Sequence, residues 1–154
     1  MSFISWKEEY EIGIDQVDDQ HQMLVGLLNE FYDAMDEGRG RDEVGTVIAD
    51  LEEYVEFHFN SEEAFATDCG FSTDCHDCHL AHQNAHEEFA TQVSELRAMY
   101  EDDDATVHMK TLRFLREWVT EHIGEMDQQL GLYANDEVDP EELEPIEMSN
   151  SLHL

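Results

Sequence analysis

The chain has 154 residues, of which 41% are apolar, and this length and composition suit one folded domain with a stable core. Its 39 acidic and 7 basic residues give a net charge of −32. Such a chain offers no basic patch to a phosphate group, which argues against nucleic acid and anionic membranes as partners. We interpret the charge as adaptation to a salt-rich cell interior, where ions screen the self-repulsion.

Neither a membrane span nor a secretory signal is visible. No stretch approaches the roughly 20 apolar residues that a span needs, and the N-terminal MSFISWKEEYEIG lacks a basic-then-apolar pattern. We therefore expect a cytoplasmic protein. In that reducing compartment Cys69, Cys75 and Cys78 are expected to be thiols or metal ligands rather than a disulfide framework.

Apolar residues recur at helical spacing in four stretches, and two of these lie in the first half of the chain. The first predicted helix covers about residues 17–35, and the second covers about 43–67. Their inward stripes are apolar except at His21 on the first and at His58 and Glu62 on the second. These polar side chains would be buried in the core.

The third and fourth predicted helices follow a loop that is rich in small polar residues and cysteine, TDCGFSTDCHDC. The third covers about residues 79–100 and carries His82 and His86 on its inward stripe. The fourth covers about 106–132 and carries His122. The inward stripes of the third and fourth helices are thus also interrupted by histidines.

Four amphipathic helices with mostly short connections predict an all-α fold, an antiparallel up-down four-helix bundle. We place this domain at residues 1–133, with an N-terminal extension before the first helix, and an acidic tail at 134–154. The tail is expected to be flexible, although Leu143, Ile146 and Met148 could cover part of the bundle.

The inward polar residues are candidate metal ligands. Residues four apart share a helix face, so His58 with Glu62, and His82 with His86, point in pairs. A single inward histidine is usually a hydrogen-bonded core residue. Five histidines over four stripes, with a carboxylate that is costly to bury unless it is paired or bound to metal, predict a metal centre instead.

Asp127 is a further candidate, and its spacing leaves its role open. It follows His122 by five residues, about 140° around an ideal helix. It is either a surface residue or is brought to the same side by a local widening of the helix, as occurs at functional sites.

The number and type of ligands favour two metal ions. Five imidazoles and two carboxylates exceed the four ligands of one zinc ion, and imidazole with carboxylate suits iron among the redox metals. A ferritin-type centre needs Glu-x-x-His on two helices, and no histidine of this chain has Glu three residues before it.

Four segments resemble, in order, the ligand segments of the haemerythrins, most closely the bacterial and archaeal single-domain kind. They are GIDQVDDQHQMLVGLLNEFYDAM, HFNSEE, HQNAHEEF and HIGEMD, and the resemblance covers about residues 5–132. It implies two iron ions, one held by His82, His86 and His122 and the other by His21 and His58. It also implies that Glu62 and Asp127 bridge them together with an oxo or hydroxo group.

The resemblance further implies reversible binding of dioxygen, for carriage, storage or delivery, at an open position on the iron with two histidines. The alternative is a di-iron enzyme or sensor that handles peroxide or nitric oxide at the same site. A predicted apolar surround leaves few groups to protonate and cleave a bound peroxide, so we favour an oxygen-binding protein. The candidates for that surround are Leu24, Phe57, Phe65, Phe89, Leu115 and Trp118.

The run CHDCH admits several interpretations. Cys75-x-x-Cys78-His79 has the spacing of a c-type haem attachment site, but such attachment normally occurs outside the cytoplasm. Cys69 and the pair, with His76 or His79, could hold a second metal, most readily zinc. The pair could also respond to redox state, or the loop could have no specific role.

The remaining histidines are assigned less directly. His79 with His82 is a rival choice of ligands on the third helix, but His82 with His86 continues the stripe and matches the family pattern. His108 and His153 fall outside the stripes and are expected to be exposed. A protein partner and the choice between monomer and homo-oligomer stay open.

Overall fold

The computed structural model describes residues 3–39, 41–101 and 109–148. These residues form six α-helices and no strand, which confirms the all-α prediction. The helices are α1 (Asp15–Asp36), α2 (Arg41–Asp68), α3 (Phe71–Asp74), α4 (His76–Glu101), α5 (Met109–Gly124) and α6 (Met126–Ala134). Short 3-10 turns lie at Glu8–Tyr10 and Pro140–Glu142. No helix in the described ranges is long and apolar enough to cross a membrane.

The long helices pack as a four-membered bundle. Helix α1 contacts α2, α2 contacts α4, and α5 contacts both α4 and α1, so the packing closes on itself. Each helix contributes fully buried apolar side chains to one continuous core; Phe31, Leu51, Phe89 and Leu115 are examples. Short connections make α1, α2, α4 and α5, the consecutive members of the bundle, antiparallel, as predicted.

The N-terminal extension is fixed to α6 by a close backbone approach. A Cβ on Gly131 would overlap the carbonyl oxygen of Ile12, so only glycine permits this contact. Next to it, the carboxylate of Asp18 accepts hydrogen bonds from the backbone N–H groups of Ile12 and Gly13 at 2.8 and 3.2 Å. The entry to α1 is thereby tied to the last helix of the bundle.

The predicted fourth helix is divided in two. Glu125 separates α5 from α6 with φ −125° and ψ −68°, outside the helical range. Its N–H still donates to the carbonyl of Glu121 at 2.9 Å, and its carbonyl accepts from Gln129 at 3.1 Å. The chain therefore continues in nearly the same direction, but the residues after Glu125 are rotated about the helix axis.

The predicted loop between the second and third helices contains a helix, α3, so the loop assignment is wrong there. Phe71 at its start is fully buried. It belongs to a small second core at the end of the bundle, which we call the end layer and which consists of Ala66, Phe71, Cys78, Leu130 and Leu143. Burial of Phe71 orders a segment whose polar composition suggested only a loop.

Part of the acidic tail lies against the bundle. Leu143 is buried in the end layer, and Ile146 and Met148 pack against the main core. The described tail thus covers the bundle through the three residues that the sequence had offered for this role. The domain boundary at 133 and the flexibility of the tail stay predictions.

Candidate metal centre

All seven predicted ligands lie in the core, and none is more than 4% exposed: His21, His58, Glu62, His82, His86, His122 and Asp127. Their donor atoms form two groups, and within each group all atoms lie within 4.8 Å of one another. One group contains Glu62, His82, His86, His122 and Asp127, and the other contains His21, His58 and Glu62. The five helices α1, α2, α4, α5 and α6 together supply this cluster.

Glu62 lies between the two groups and presents one carboxylate oxygen to each. Its Oε2 is 3.2 Å from Nε2 of His21 and 3.1 Å from Nε2 of His58. Its Oε1 is 2.6 Å from Nε2 of His82 and 3.3 Å from Nε2 of His86. This is the geometry that a carboxylate shared by two adjacent metal ions requires.

Asp127 spans the groups in the same way. Its Oδ2 is 3.0 Å from Nε2 of His21, and its Oδ1 is 2.9 Å from His82 and 3.1 Å from His122. The break at Glu125 explains this position, because it removes the angular offset that five residues would give in a regular helix. A single non-helical residue therefore stands where a widened turn of helix was predicted.

The donor atoms of the centre are crowded together, and their contacts leave the carboxylate of Asp127 unsatisfied. Both carboxylate oxygens of Asp127 are buried and accept no hydrogen bond of acceptable geometry within the described residues. Nε2 of His86 and Nε2 of His122 are 2.9 Å apart. Such a buried carboxylate is costly unless a cation compensates it. Imidazole nitrogens and carboxylate oxygens fit iron, although other transition metals also accept them.

Comparison with known proteins agrees with this geometry. Residues 12–133 match the family model described as "Hemerythrin HHE cation binding domain". The chain belongs to the haemerythrin family. It is 30% identical over 128 residues to a bacteriohemerythrin of Clostridium acetobutylicum, covering 80% of this chain and 95% of that relative. It is 31% identical over 124 residues to one of Pseudomonas aeruginosa, covering 80% and 76%.

Solved haemerythrin structures share the fold. A wild-type haemerythrin crystal structure superposes with a TM-score of 0.76 at 27% identity, over 86% of this chain and 98% of that one. The resemblance inferred from the four quoted segments is thus confirmed at the level of family and fold.

Strong charge coupling characterises the metal-free haemerythrin centre. Burial lowers the pKa of His21 and of His82, but the carboxylates of Asp127 and Glu62 outweigh burial and raise each to about 10. Burial raises the pKa of both carboxylates, yet the surrounding histidines hold them well below their usual range. The centre therefore attracts positive charge, as protons or as metal ions.

Two polar residues that the sequence analysis missed orient the histidine rings. The Nδ1–H of His58 donates to Oε1 of Gln20 at 2.7 Å, and the Nδ1–H of His86 donates to Oε2 of Glu63 at 2.9 Å. Each bond leaves Nε2 as the metal-facing nitrogen. Gln20 precedes His21 and Glu63 follows Glu62 in the chain, and adjacency to a predicted ligand was the only available signal.

Aromatic rings form the wall beside the three-histidine group. Phe59 stacks on His86 with centroids 3.9 Å apart, and Trp118 stacks on His122 at 4.4 Å. The prediction that Phe57 belongs to the apolar surround is wrong, because its side chain is 57% exposed. Phe59 follows Val55 by four residues, and this spacing marks it as the inward residue.

The other predicted lining residues are buried to different degrees. Leu24, Phe89, Leu115 and Trp118 belong to the main core. Phe65 is only partly buried and packs against the end layer instead.

The cysteine-rich segment contributes no donor to the centre. Cys75 and Cys78 form a disulfide, so the expectation that they are thiols or ligands is wrong; Cys69 alone is a free thiol. No metal-binding group in the described ranges contains a cysteine. His79 is buried but belongs to neither donor group. His108 and His153 lie outside the described residues.

Proposed function

We propose that the chain binds dioxygen reversibly at a non-haem di-iron centre, in carriage, storage or delivery. One observation carries the proposal: Glu62 and Asp127 each present one oxygen to the two-histidine group and the other to the three-histidine group. A shared pair of carboxylates holds two ions close together, at about 3.5–4 Å in two-metal sites.

The ligand count makes the two iron positions unequal. His82, His86 and His122 would hold one iron, and His21 and His58 the other, while both carboxylates and an oxo or hydroxo group bridge the two. The three-histidine side would then supply six ligands and the two-histidine side five, so dioxygen would bind beside His21 and His58.

The protein contributes imidazole and carboxylate ligands, fixed histidine rings and aromatic side chains beside the three-histidine group. A pair of ferrous ions supplies the electrons that dioxygen takes up on binding and returns on release. Gln20 and Glu63 fix the rings of His58 and His86. Phe59 and Trp118 cover one side of the rings of His86 and His122 with apolar surface. Because the relatives named above are haemerythrins, we favour an oxygen-binding protein over an enzyme.

We also infer a cytoplasmic setting with a high salt concentration, from the net charge of −32. Molar salt should then raise the melting temperature, because it screens repulsion between surface carboxylates. A protein that stays folded and monodisperse in dilute buffer, with no gain in melting temperature at molar salt, would exclude this inference.

Optical oxygen titration tests the proposed function. Protein reduced anaerobically should be nearly colourless, gain near-ultraviolet and visible bands on admission of oxygen, and lose them under argon. His58→Ala should abolish the bands, whereas His76→Ala, at an exposed residue of α4 outside both donor groups, should not. Bands that persist under argon, or their absence in protein with two irons, would refute reversible binding.

A further inference from the structure

Three members of the end layer and three proposed ligands occupy successive turns of the same helices. Ala66 follows Glu62 by four residues in α2, and Cys78 precedes His82 by four residues in α4. Leu130 stands one turn after the carboxylate ligand of α6. Residues three and four apart are neighbours on a helix surface. Three members of the end layer therefore sit one helical turn from three proposed ligands, each on a different helix.

Cys78 is the member of this layer that carries redox chemistry. It is 3% exposed and bonded to Cys75. Side chains in a helix lean toward its N-terminus, so the ring of His82 leans over the turn that holds Cys78. Cys78 and the proposed iron ligand His82 are thus one turn apart on the same buried face of α4.

Cys75 is the outer member of the pair and is only partly buried. It stands immediately before α4, and its Sγ accepts a hydrogen bond from the backbone N–H of Cys78 at 3.2 Å. A helix N-terminus stabilises a thiolate at this position when the disulfide is reduced. The outer sulfur can therefore meet an external thiol, while the inner sulfur is buried one helical turn before His82.

We propose that Cys75 and Cys78 form a resident two-electron couple that returns the di-iron centre from the diferric to the diferrous state. This inference rests on the proposed function. A reversible oxygen carrier works only while both irons are ferrous, and each oxidation of the centre by oxygen removes two electrons. A dithiol supplies the same number of electrons when it closes to a disulfide.

The step balances in atoms and electrons. The thiols of Cys75 and Cys78 lose two protons to solvent, one S–S bond forms, and two electrons reduce two Fe3+ to two Fe2+. Two external thiols, of a small molecule or of a protein dithiol, then reopen the disulfide through a mixed disulfide on Cys75 and leave as their own disulfide. In the cytoplasm proposed above, disulfides are usually transient and redox-active.

Cys69 provides a natural control. It packs against the same end layer, it is the free cysteine of the chain, and burial raises the pKa of its thiol. With no disulfide partner it can donate one electron at most, and it should not replace the pair.

The test uses the full chain, loaded with iron, oxidised to the diferric state and kept anaerobic. One equivalent of tris(2-carboxyethyl)phosphine per chain opens the disulfide without adding a thiol. Ferrous iron is measured with a ferrous chelator after acid quench, and free thiols are counted by alkylation and mass spectrometry. Cys69→Ser is included so that only the pair is counted.

In the iron-loaded protein we expect two ferrous ions per chain and re-formation of the disulfide. In the metal-free protein the same treatment should leave both thiols free. In the variant with both Cys75→Ser and Cys78→Ser, we expect ferric iron to be reduced at least about ten-fold more slowly than in the wild type. Cys75→Ser alone should behave alike, which guards against a folding defect from changing the buried Cys78.

Thiols that stay free beside ferric iron, or a serine variant reduced as fast as the wild type, would overturn the couple and leave only a structural cross-link. Two irons per chain and an intact oxygen titration would show that the proposed function survives this failure. A chain that takes up no iron would contradict both.

Discussion

The metal centre and the end layer are neighbouring parts of one bundle, and we propose that the first binds two metal ions and that Cys75 and Cys78, at the second, carry electrons. In the centre, five helices together supply two groups of donor atoms, and the atoms of each group lie within 4.8 Å of one another. In the end layer, the reactive pair lies three residues apart in sequence and is closed on itself by a disulfide. A metal centre is thus made by tertiary packing, whereas the end-layer chemistry is local and only positioned by packing.

The strongest way to break this comparison is to remove a shared ligand. Glu62→Gln keeps the size of the side chain but removes the charge that both donor groups face. We expect iron content to fall from two per chain to less than one, because both ions lose a charged ligand at once. Metal analysis with circular dichroism measures this. Retention of two irons in the folded variant would contradict a bridging role.

Metal loading should also release protons. Without metal, the pKa values of His21 and His82 are raised to about 10, so both rings hold a proton at pH 8. The depressed pKa values of Glu62 and Asp127 mean that these carboxylates are already ionised and release none. Ferrous ions added anaerobically at pH 8 should therefore displace about two protons per chain from these rings, in addition to those released by the water that supplies the bridging group.

A pH-indicator titration follows this release. It should shrink as the starting pH rises through about 10, because the metal-free histidines are then already neutral. Metal uptake without proton release at pH 8 would show that the metal-free centre is not charged in this way.

Cutting the disulfide should affect stability and leave the metal alone. Cys75→Ser with Cys78→Ser removes a cross-link that closes a loop of four residues, which corresponds to about 2 kcal/mol of unfolding free energy. Denaturant unfolding of the metal-free protein measures the loss. Iron content should stay at two per chain, since neither donor group contains a cysteine. Loss of iron in a folded variant would show that iron binding depends on the disulfide.

A smaller effect is expected at Glu63. Glu63→Gln keeps an acceptor for the Nδ1–H of His86 but removes its charge, and with it part of the basicity of the ring. Iron release to a chelator should be about ten-fold faster. Glu87→Gln is the matched control, because Glu87 is an exposed acid of α4 that directly follows His86. Equal release from both variants would make Glu63 a surface residue without influence on the centre.

Long-range order was more predictable than local detail, for physical reasons. Helical periodicity indicated the bundle and six of the seven cluster residues, because burial of an apolar stripe imposes a repeat that the sequence must show. Asp127 does not follow this repeat, because its position depends on a single non-helical residue, Glu125. Only the family resemblance indicated that Asp127 is a ligand.

Local chemistry near residue 75 could not be predicted in the same way. The disulfide and α3 depend on the burial of Phe71 and Cys78 against α6, which no periodic pattern records. Gln20 and Glu63 were missed because residues that orient ligands need only reach a ring nitrogen, and no fixed spacing follows from that.

Mössbauer and electron paramagnetic resonance spectra of the 57Fe-loaded, oxidised protein test the central claim most directly. If Glu62 and Asp127 bridge two irons, the sample should contain two ferric ions per chain that couple antiferromagnetically and give no paramagnetic resonance signal. An isolated high-spin ferric signal that accounts for the iron, or one iron per chain, would contradict a centre shared through these two carboxylates.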